Sequence, residues 1–532
     1  MPFRLKSLTL PEWLFLAVVT LGWGVFVICL GKDLSWDFRN YHWYIPYAFL
    51  NGRMGIDISV AHQATFYNPS LDIPFYWLAT HTPSWFALGV LGMAQGLNSV
   101  PLYLMGRGLL RVPHTKLAAG VLTLLCMTGG LTLSLSGTTY YDPVMSVFIL
   151  SALALILLNR DALRDASILR GMVIAGVAGL LVGIPVGLKL PEAPFALGLA
   201  ATLALLPGTW KHRGSRVIAA GIGGLIGVLL VAGYWYGEMY HLTGNPLFPY
   251  FNQYFHSPLG LPASYRDTRF LPHDLYHALI LPLLFSMDWH VADDLPFQDI
   301  RVGLAYVLVI VTVPIWLIRK QSREPLMPPD VVLALFGFAA VSYIAWISIF
   351  AIYRYIILLE ILGPILIFAA VAMWPISARA RIITASILLL LCAGLTRTGI
   401  LTRAPLGDPY VQAIIPPIID PDHAMVLMTG NAPMGFLAPS LPPQVPIIRI
   451  DGWMIQPKDG SRLTARAKAR VGAFKGDLYV IFDAYEVARG IDALADYGLA
   501  LDDKACGDIE TNLTGDYRFC PVTRKPNQSP TP

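Results

Sequence analysis

The chain has 532 residues, 55% of them hydrophobic and only 14% charged, with a formal net charge of +4. A soluble domain carries about 25% charged residues, so this composition and a mean hydropathy of +0.57 exclude an ordinary soluble enzyme, a disordered chain and a disulfide scaffold. The 38 basic residues stand at the ends of apolar segments and form no basic face, which leaves no nucleic-acid footprint.

A bilayer-spanning helix needs about 20 mostly apolar residues. Eleven segments read as spans, at roughly 12–31, 84–106, 117–136, 142–159, 171–189, 193–208, 217–236, 301–318, 330–351, 354–375 and 382–399. The sixth is short, and a Lys-Leu-Pro-Glu turn separates it from the fifth. No A-x-A cleavage site accompanies the first, so it reads as a retained helix. The expected fold class is an all-α polytopic membrane protein of about eleven helices with a small C-terminal α/β domain. The expected division is a membrane module over 1–403 and an external domain over 404–532.

Lysine and arginine in short connections set the orientation. Arg107, Arg111 and Lys116, then Arg160, Arg164 and Arg170, Lys211, Arg213 and Arg216, Arg319, Lys320 and Arg323, and Arg379 and Arg381 all fall in one alternate set of connections. In the other set, residues 32–83 hold only Lys32, Arg39 and Arg53. The basic side reads as cytoplasmic, with the N-terminus on it. The first outer loop (32–83), the loop 237–300 and the tail then lie outside. Cys506 and Cys520 of the tail read as a disulfide of an oxidising compartment, in keeping with that orientation. The basic-side connections are too short for a nucleotide-binding domain and the chain has no P-loop, so the chemistry belongs outside or within the membrane. In the tail, 424–429, 445–450 and 478–482 read as buried strands and 484–497 as a helix closed by Gly498. No acid–base pair stands out there, which suits a docking or structural role.

The first outer loop carries Asp37, about six residues beyond the first span, in a run with Asn40, Tyr41 and His42. Aromatics from 41 to 49, and again around Tyr67, Asn68 and Trp77, suggest interfacial helices. On composition alone the plainer reading of Asp37 is a solvated carboxylate between Lys32 and Arg39. Asp142, after Tyr140 and Tyr141 and before Pro143, has the form of a helix start; together with Asp37 it would equally make a two-carboxylate site. Arg354 and Tyr355 open the tenth span on the same side, with Glu360 six residues deeper. An arginine fork matches phosphate oxygens, and an intramembrane Glu calls for a partner or a polar cavity; Arg354 and Lys189 would equally snorkel to headgroups. His273 and His277 have the i, i+4 spacing of a zinc pair but lack a glutamate motif, so an ordinary interfacial helix is the stronger reading.

The outer-loop Asp, the Asp-Pro opening a later span, Gly187-Leu-Lys189 closing the fifth and Arg-Tyr opening a late one resemble the GT-C glycosyltransferases. These are polytopic enzymes using polyprenyl-phosphate sugars, among them protein O-mannosyltransferases, aminoarabinose transferases and family 87 mannosyltransferases. The runs Gly244–Asn252 and Tyr67–Pro69 are similar to those of bacterial members. The resemblance implies an inner-membrane glycosyltransferase with a periplasmic C-terminal domain. It would transfer a sugar, with inversion, from a polyprenyl-phosphate donor to a glycan, lipid or protein. Asp37 would act as general base and Asp142 as second acidic position. Arg354, Lys189 and Tyr355 would hold the donor phosphate, and Asn40, Tyr41, His42, Tyr67, Asn68, Tyr141 and Glu360 would line the substrate pocket. Asp33 would extend the first-loop site, but its spacing to Asp37 departs from the Asp-x-Asp or Asp-Glu pairs of some members. That departure favours a metal-independent branch, with Mg2+ or Mn2+ left open and no metal ligand assigned. Two alternatives stand beside this reading. A glycan polymerase or ligase with a diphosphate-linked donor would use Arg266, Arg269 and His256. A lipid-linked-sugar transporter would show internal repeats and midplane charges, which the chain lacks.

Overall fold

A computed structural model describes residues 8–165, 167–318, 325–399 and 401–525. The basic residues Arg319, Lys320 and Arg323 lie outside the described residues. Seven helices are long and apolar enough to cross a membrane: Leu10–Leu30, Ile168–Leu188, Trp210–Thr243, Arg301–Ile318, Pro329–Ile349, Tyr353–Ala372 and Ala378–Leu395. Four of the eleven expected spans are shorter or broken. The second is two helices, Ser84–Gly96 and Ser99–Leu109, because Pro101 supplies no amide to the turn around Asn98. The third stops at Met127, where Gly129 and Gly130 turn the chain into a short helix, Gly130–Ser134. The fourth and sixth are Asp142–Leu158 and Ala193–Leu205. The loop 237–300 holds an apolar helix, Leu275–Met287, where the stretch around His273 and His277 suggested an interfacial one.

Helix Ile357–Ala372 is buried along its whole length and forms the axis of the body. Helices Ile168–Leu188 and Trp210–Thr243 meet backbone to backbone. A β-carbon on Gly179 would stand 2.0 Å from the Ala220 carbonyl oxygen, and one on Gly183 2.1 Å from that of Gly224. Small residues at this spacing let membrane helices pack at close range. The basic turns gather at one end of the body, where Glu12 takes Arg107 at 2.9 Å and Lys116 at 3.3 Å and Arg160 pairs with Asp330. The outer-loop residues and the tail lie at the other.

At that second end β1 (Lys32–Asp33) pairs with β4 (Arg403–Ala404), and β2 (Phe297–Gln298) with β3 (Arg397–Thr398), so the tail leaves the body beside the first helix. The tail is a seven-stranded mixed sheet of β5 (Ala413–Ile414), β6 (Ala424–Met428), β7 (Ile447–Arg449), β8 (Asp477–Asp483), β9 (Leu499–Leu501), β10 (Gly507–Thr511) and β11 (Tyr517–Arg524). Its order is β5-β10-β11-β8-β6-β7, with β9 on β11. Strands β7, β6 and β8 are mutually parallel and the remaining pairings antiparallel. Cys506 and Cys520 are disulfide-bonded where β10 meets β11.

The first outer loop is wedged between body and sheet. Ile58 bridges Ile448 in parallel and covers the free edge of β7. Arg53 ion-pairs with Asp57 and donates to the Pro443 and Val445 carbonyls, while Asp57 accepts from the Ile447 amide at 3.0 Å. Arg449 reaches back to the Val60 carbonyl at 2.9 Å. Within the loop, residues 38–42 form one wide helical turn and Tyr44–Leu50 and Ile73–His81 form short helices.

Candidate functional site

The π-type turn over Phe38–His42 begins at Asp37 and brings Tyr41 back over it. The Tyr41 hydroxyl donates to Asp37 Oδ2 at 2.8 Å, and Arg354 Nη1 lies 3.5 Å from the same oxygen. The Arg354 guanidinium rests over the rings of Tyr140, at 4.9 Å, and Tyr355, at 5.2 Å. Its Nε is buried with no hydrogen-bond partner. The backbone amide of Arg354 donates to Asp293 Oδ2 at 2.7 Å, fixing the mouth of the central helix. Burial lifts the Asp293 carboxyl to about 6, with the Arg354 guanidinium opposing that rise.

Lys189 ends helix Ile168–Leu188 beside this group. Its Nζ donates to Asp142 Oδ1 at 2.6 Å and to the Tyr140 carbonyl at 2.9 Å, and lies 5.3 Å from the centre of the Tyr355 ring. Tyr67 packs edge-on to Tyr41 at 5.6 Å and shares a hydroxyl contact with Tyr250. The result is a carboxylate and two cations set among Tyr41, Tyr67, Tyr140, Tyr250 and Tyr355. Burial pushes the phenols of Tyr41, Tyr67 and Tyr140 well above their usual range, and the Asp37 carboxylate adds to that shift. They therefore remain hydrogen-bond donors. The side chains of Asp37, Arg354 and Lys189 keep 14%, 17% and 17% of their surface exposed, so the cluster is mostly buried but not sealed.

Asp37, Tyr41, Tyr67, Lys189, Arg354 and Tyr355 are thus brought together. Asp142 is adjacent but engaged: Tyr141, at φ +60°, takes the cap position, Asp142 is the first helical residue, and its carboxylate serves Lys189. The helix starts here as expected, with the cap one residue earlier than the Asp-Pro pattern suggested. Asp37 and Asp142 each face a cation of their own, Arg354 and Lys189.

The other candidates point elsewhere. Asn40 donates to the Ala61 carbonyl and His42 meets Asp72 at 2.6 Å, both inside the first-loop core. Tyr141 packs edge-on to His42 in that same core. Asn68 ties the loop to the body through the Val231 carbonyl at 3.0 Å. Glu360 is fully buried and spent on packing: it accepts from the Thr132 amide at 2.8 Å, the Thr132 hydroxyl at 2.6 Å and the Tyr353 hydroxyl at 3.0 Å. It bridges the central helix to the Gly129 turn and lines no opening. Asp33 is likewise used internally, capping Ser35 and accepting from Thr139. His273 precedes helix Leu275–Met287 and its ring stacks on His277, so the two do not share a helical face. Among the described residues, no group of three or more His, Cys, Asp or Glu could hold a metal ion.

Tyr140, Tyr250 and Asp293 belong to the cluster without having been candidates. Tyr250 lies in the Gly244–Asn252 run that the motif resemblance had marked. Tyr140 and Asp293 carry no sequence signal beyond adjacency to an Asp-Pro start and an acidic pair.

No family model matches the chain, and no curated protein matches it. Two solved structures are similar to it. One is ArnT from Cupriavidus metallidurans bound to undecaprenyl phosphate, at 18% identity and a TM-score of 0.44, covering 71% of this chain and 64% of that one. The other is the Archaeoglobus fulgidus oligosaccharyltransferase tethered with an acceptor peptide, at 13% identity and a TM-score of 0.38, covering 89% of this chain and 69% of that one. The chain spans less than two thirds of the ArnT chain's length.

Proposed function

We propose that the protein is an integral-membrane glycosyltransferase of the GT-C type. It takes a sugar from a polyprenyl-phosphate donor and passes it to an acceptor hydroxyl on the non-cytoplasmic face of a bacterial inner membrane. The observation that carries this reading is the state of Arg354. A guanidinium gripped between two phenol rings, with a buried Nε unpaired and a long 3.5 Å contact to Asp37, is built to receive an anion.

The chemistry follows from placement. The donor's phosphate takes Arg354 and Lys189, with the lipid tail in the bilayer and the sugar toward Asp37. Binding of phosphate at Arg354 draws the guanidinium off the carboxylate. Asp37 then accepts the proton of the acceptor as its oxygen bonds to the anomeric carbon. The bond from that carbon to the phosphate oxygen breaks, and polyprenyl phosphate leaves with the electron pair, its charge held by the two cations. A single base with no covalent nucleophile gives inversion. The site requires no metal in this scheme, since Arg354 and Lys189 supply the positive charge. The ligase reading loses ground because Arg269 is already held by Asp267 and Asp294, both at 2.7 Å.

The test is donor-side binding. The purified chain in nanodiscs is titrated with undecaprenyl phosphate, and Arg354→Ala is expected to weaken binding at least about 30-fold, the loss of a charge-assisted fork. Unchanged affinity would remove the phosphate role of Arg354 and with it this reading.

A further inference from the structure

We infer that the junction between the first outer loop and the tail sheet is a saccharide-binding platform for the acceptor, built from Trp36, Trp453, Asp451 and Arg489. The inference rests on the transferase reading above and adds the chemical class of the second substrate.

Trp453 is half exposed, at 50%, and stacks on Trp36 with ring centres 4.8 Å apart and planes 25° apart. His62 lies under both, 5.3 Å from Trp453 and 6.1 Å from Trp36, and its Nδ1 accepts the Trp453 amide. Gly452 has to be a glycine for this to form, because a β-carbon there would meet the His62 ring at 2.5 Å. An exposed indole fixed flat by two further rings loses little freedom on binding and presents a face suited to the C–H groups of a pyranose. Beside it Asp451 ion-pairs with Arg489, a planar carboxylate and a planar fork of the kind that engages vicinal hydroxyls.

The position in the sheet is a second, independent argument. Strands β7, β6 and β8 are parallel, and Trp453, Asp451 and Arg489 follow their carboxyl ends. The chain leaves β6 to form β7 on one side, while β8 lies on the other, so a topological switch point falls between β6 and β8. Open parallel sheets bind ligands in that crevice. Thr429 Oγ1 and Asn431 Oδ1, in the loop after β6, are buried without hydrogen-bond partners, and Thr429 is wholly buried. A peptide strand is disfavoured because Ile58 already occupies the outer edge of β7. Trp36 is the residue before Asp37, so the platform and the proposed base stand on consecutive residues of one segment.

The full chain in nanodiscs is titrated with a panel of gluco-, galacto- and manno-configured di- and trisaccharides, following tryptophan fluorescence, and in parallel with undecaprenyl phosphate and a random-sequence peptide pool. Saccharide binding is expected, weakened at least about tenfold in Trp453→Ala and Asp451→Asn and kept within about threefold in Trp453→Phe, with Arg354→Ala unchanged. A protein that binds undecaprenyl phosphate but none of the saccharides, that binds them equally well as Trp453→Ala, or that takes the peptides instead would overturn the platform alone. Failure to bind undecaprenyl phosphate would strike the transferase reading.

Discussion

At the scale of single residues, the site separates groups that face an opening from groups that only hold the protein together. In the sequence Asp37 reads as a loop carboxylate and Asp142 as a helix start, and either could equally belong to a two-carboxylate site. In the structure Asp142 is 1% exposed and serves Lys189, whereas Asp37 is partly exposed and shares an oxygen between a phenol and a guanidinium. Asp37→Asn should therefore lower transfer by about 10²–10⁴-fold, the range for a lost general base, while undecaprenyl phosphate still binds. Single-turnover transfer within tenfold of wild type would exclude Asp37 as base. Asp293 allows a pH test. Its carboxyl is raised from 3.8 to about 6, so the folded protein holds the proton more tightly than the unfolded chain. Its contribution to stability is fully present below about pH 4 and is lost as pH rises through 6, by up to about 3 kcal/mol. Thermal melts from pH 4 to 7 should show a smaller decline in Asp293→Asn than in wild type. Equal declines would mean that another group sets the slope.

At the scale of elements, the legible features were those that composition dictates locally. Apolar length located the long helices, and the runs at 424–429 and 478–482 located central strands because both faces are buried. The break of the third span was illegible because it answers to distant partners: the Gly129 turn receives Glu360, and Gly130 donates to Asp299 at 2.8 Å. Strands β10 and β11 were missed because exposed positions such as Asp508, Glu510 and Arg518 blur an apolar run. The glycines of helix Ile168–Leu188 let it meet helix Trp210–Thr243 backbone to backbone, just ahead of Lys189. Gly183→Leu should destabilise the protein by about 1–3 kcal/mol or more, since even one carbon there meets a backbone oxygen. Donor binding should fall with it. Gly221→Leu, on the partner helix with nothing within 4 Å of an added carbon, is the control and should melt as wild type. If both variants melt alike, close helix contact is not what places Lys189.

At the scale of the whole molecule, the first outer loop carries Asp37 and Trp36 on successive residues while being clamped from two sides. The body holds it through Asn68 and the tail through Arg53, Asp57 and Arg449. Arg449 is fully buried and donates to the carbonyls of Val60 and Gly430, so it joins the loop to the crevice after β6. Removing it leaves those carbonyls buried without donors, each at a cost of about 1–3 kcal/mol. Arg449→Ala should accordingly leave the helical body intact by circular dichroism, expose residues 56–66 to limited proteolysis and depress transfer, even though Arg449 touches neither proposed substrate. Undecaprenyl phosphate binding should change little, because Arg354 and Lys189 are anchored from the body through Asp293 and Asp142. If the loop stays protected and transfer is unaffected, the tail is an appendage and the position of Asp37 is set by the membrane helices alone.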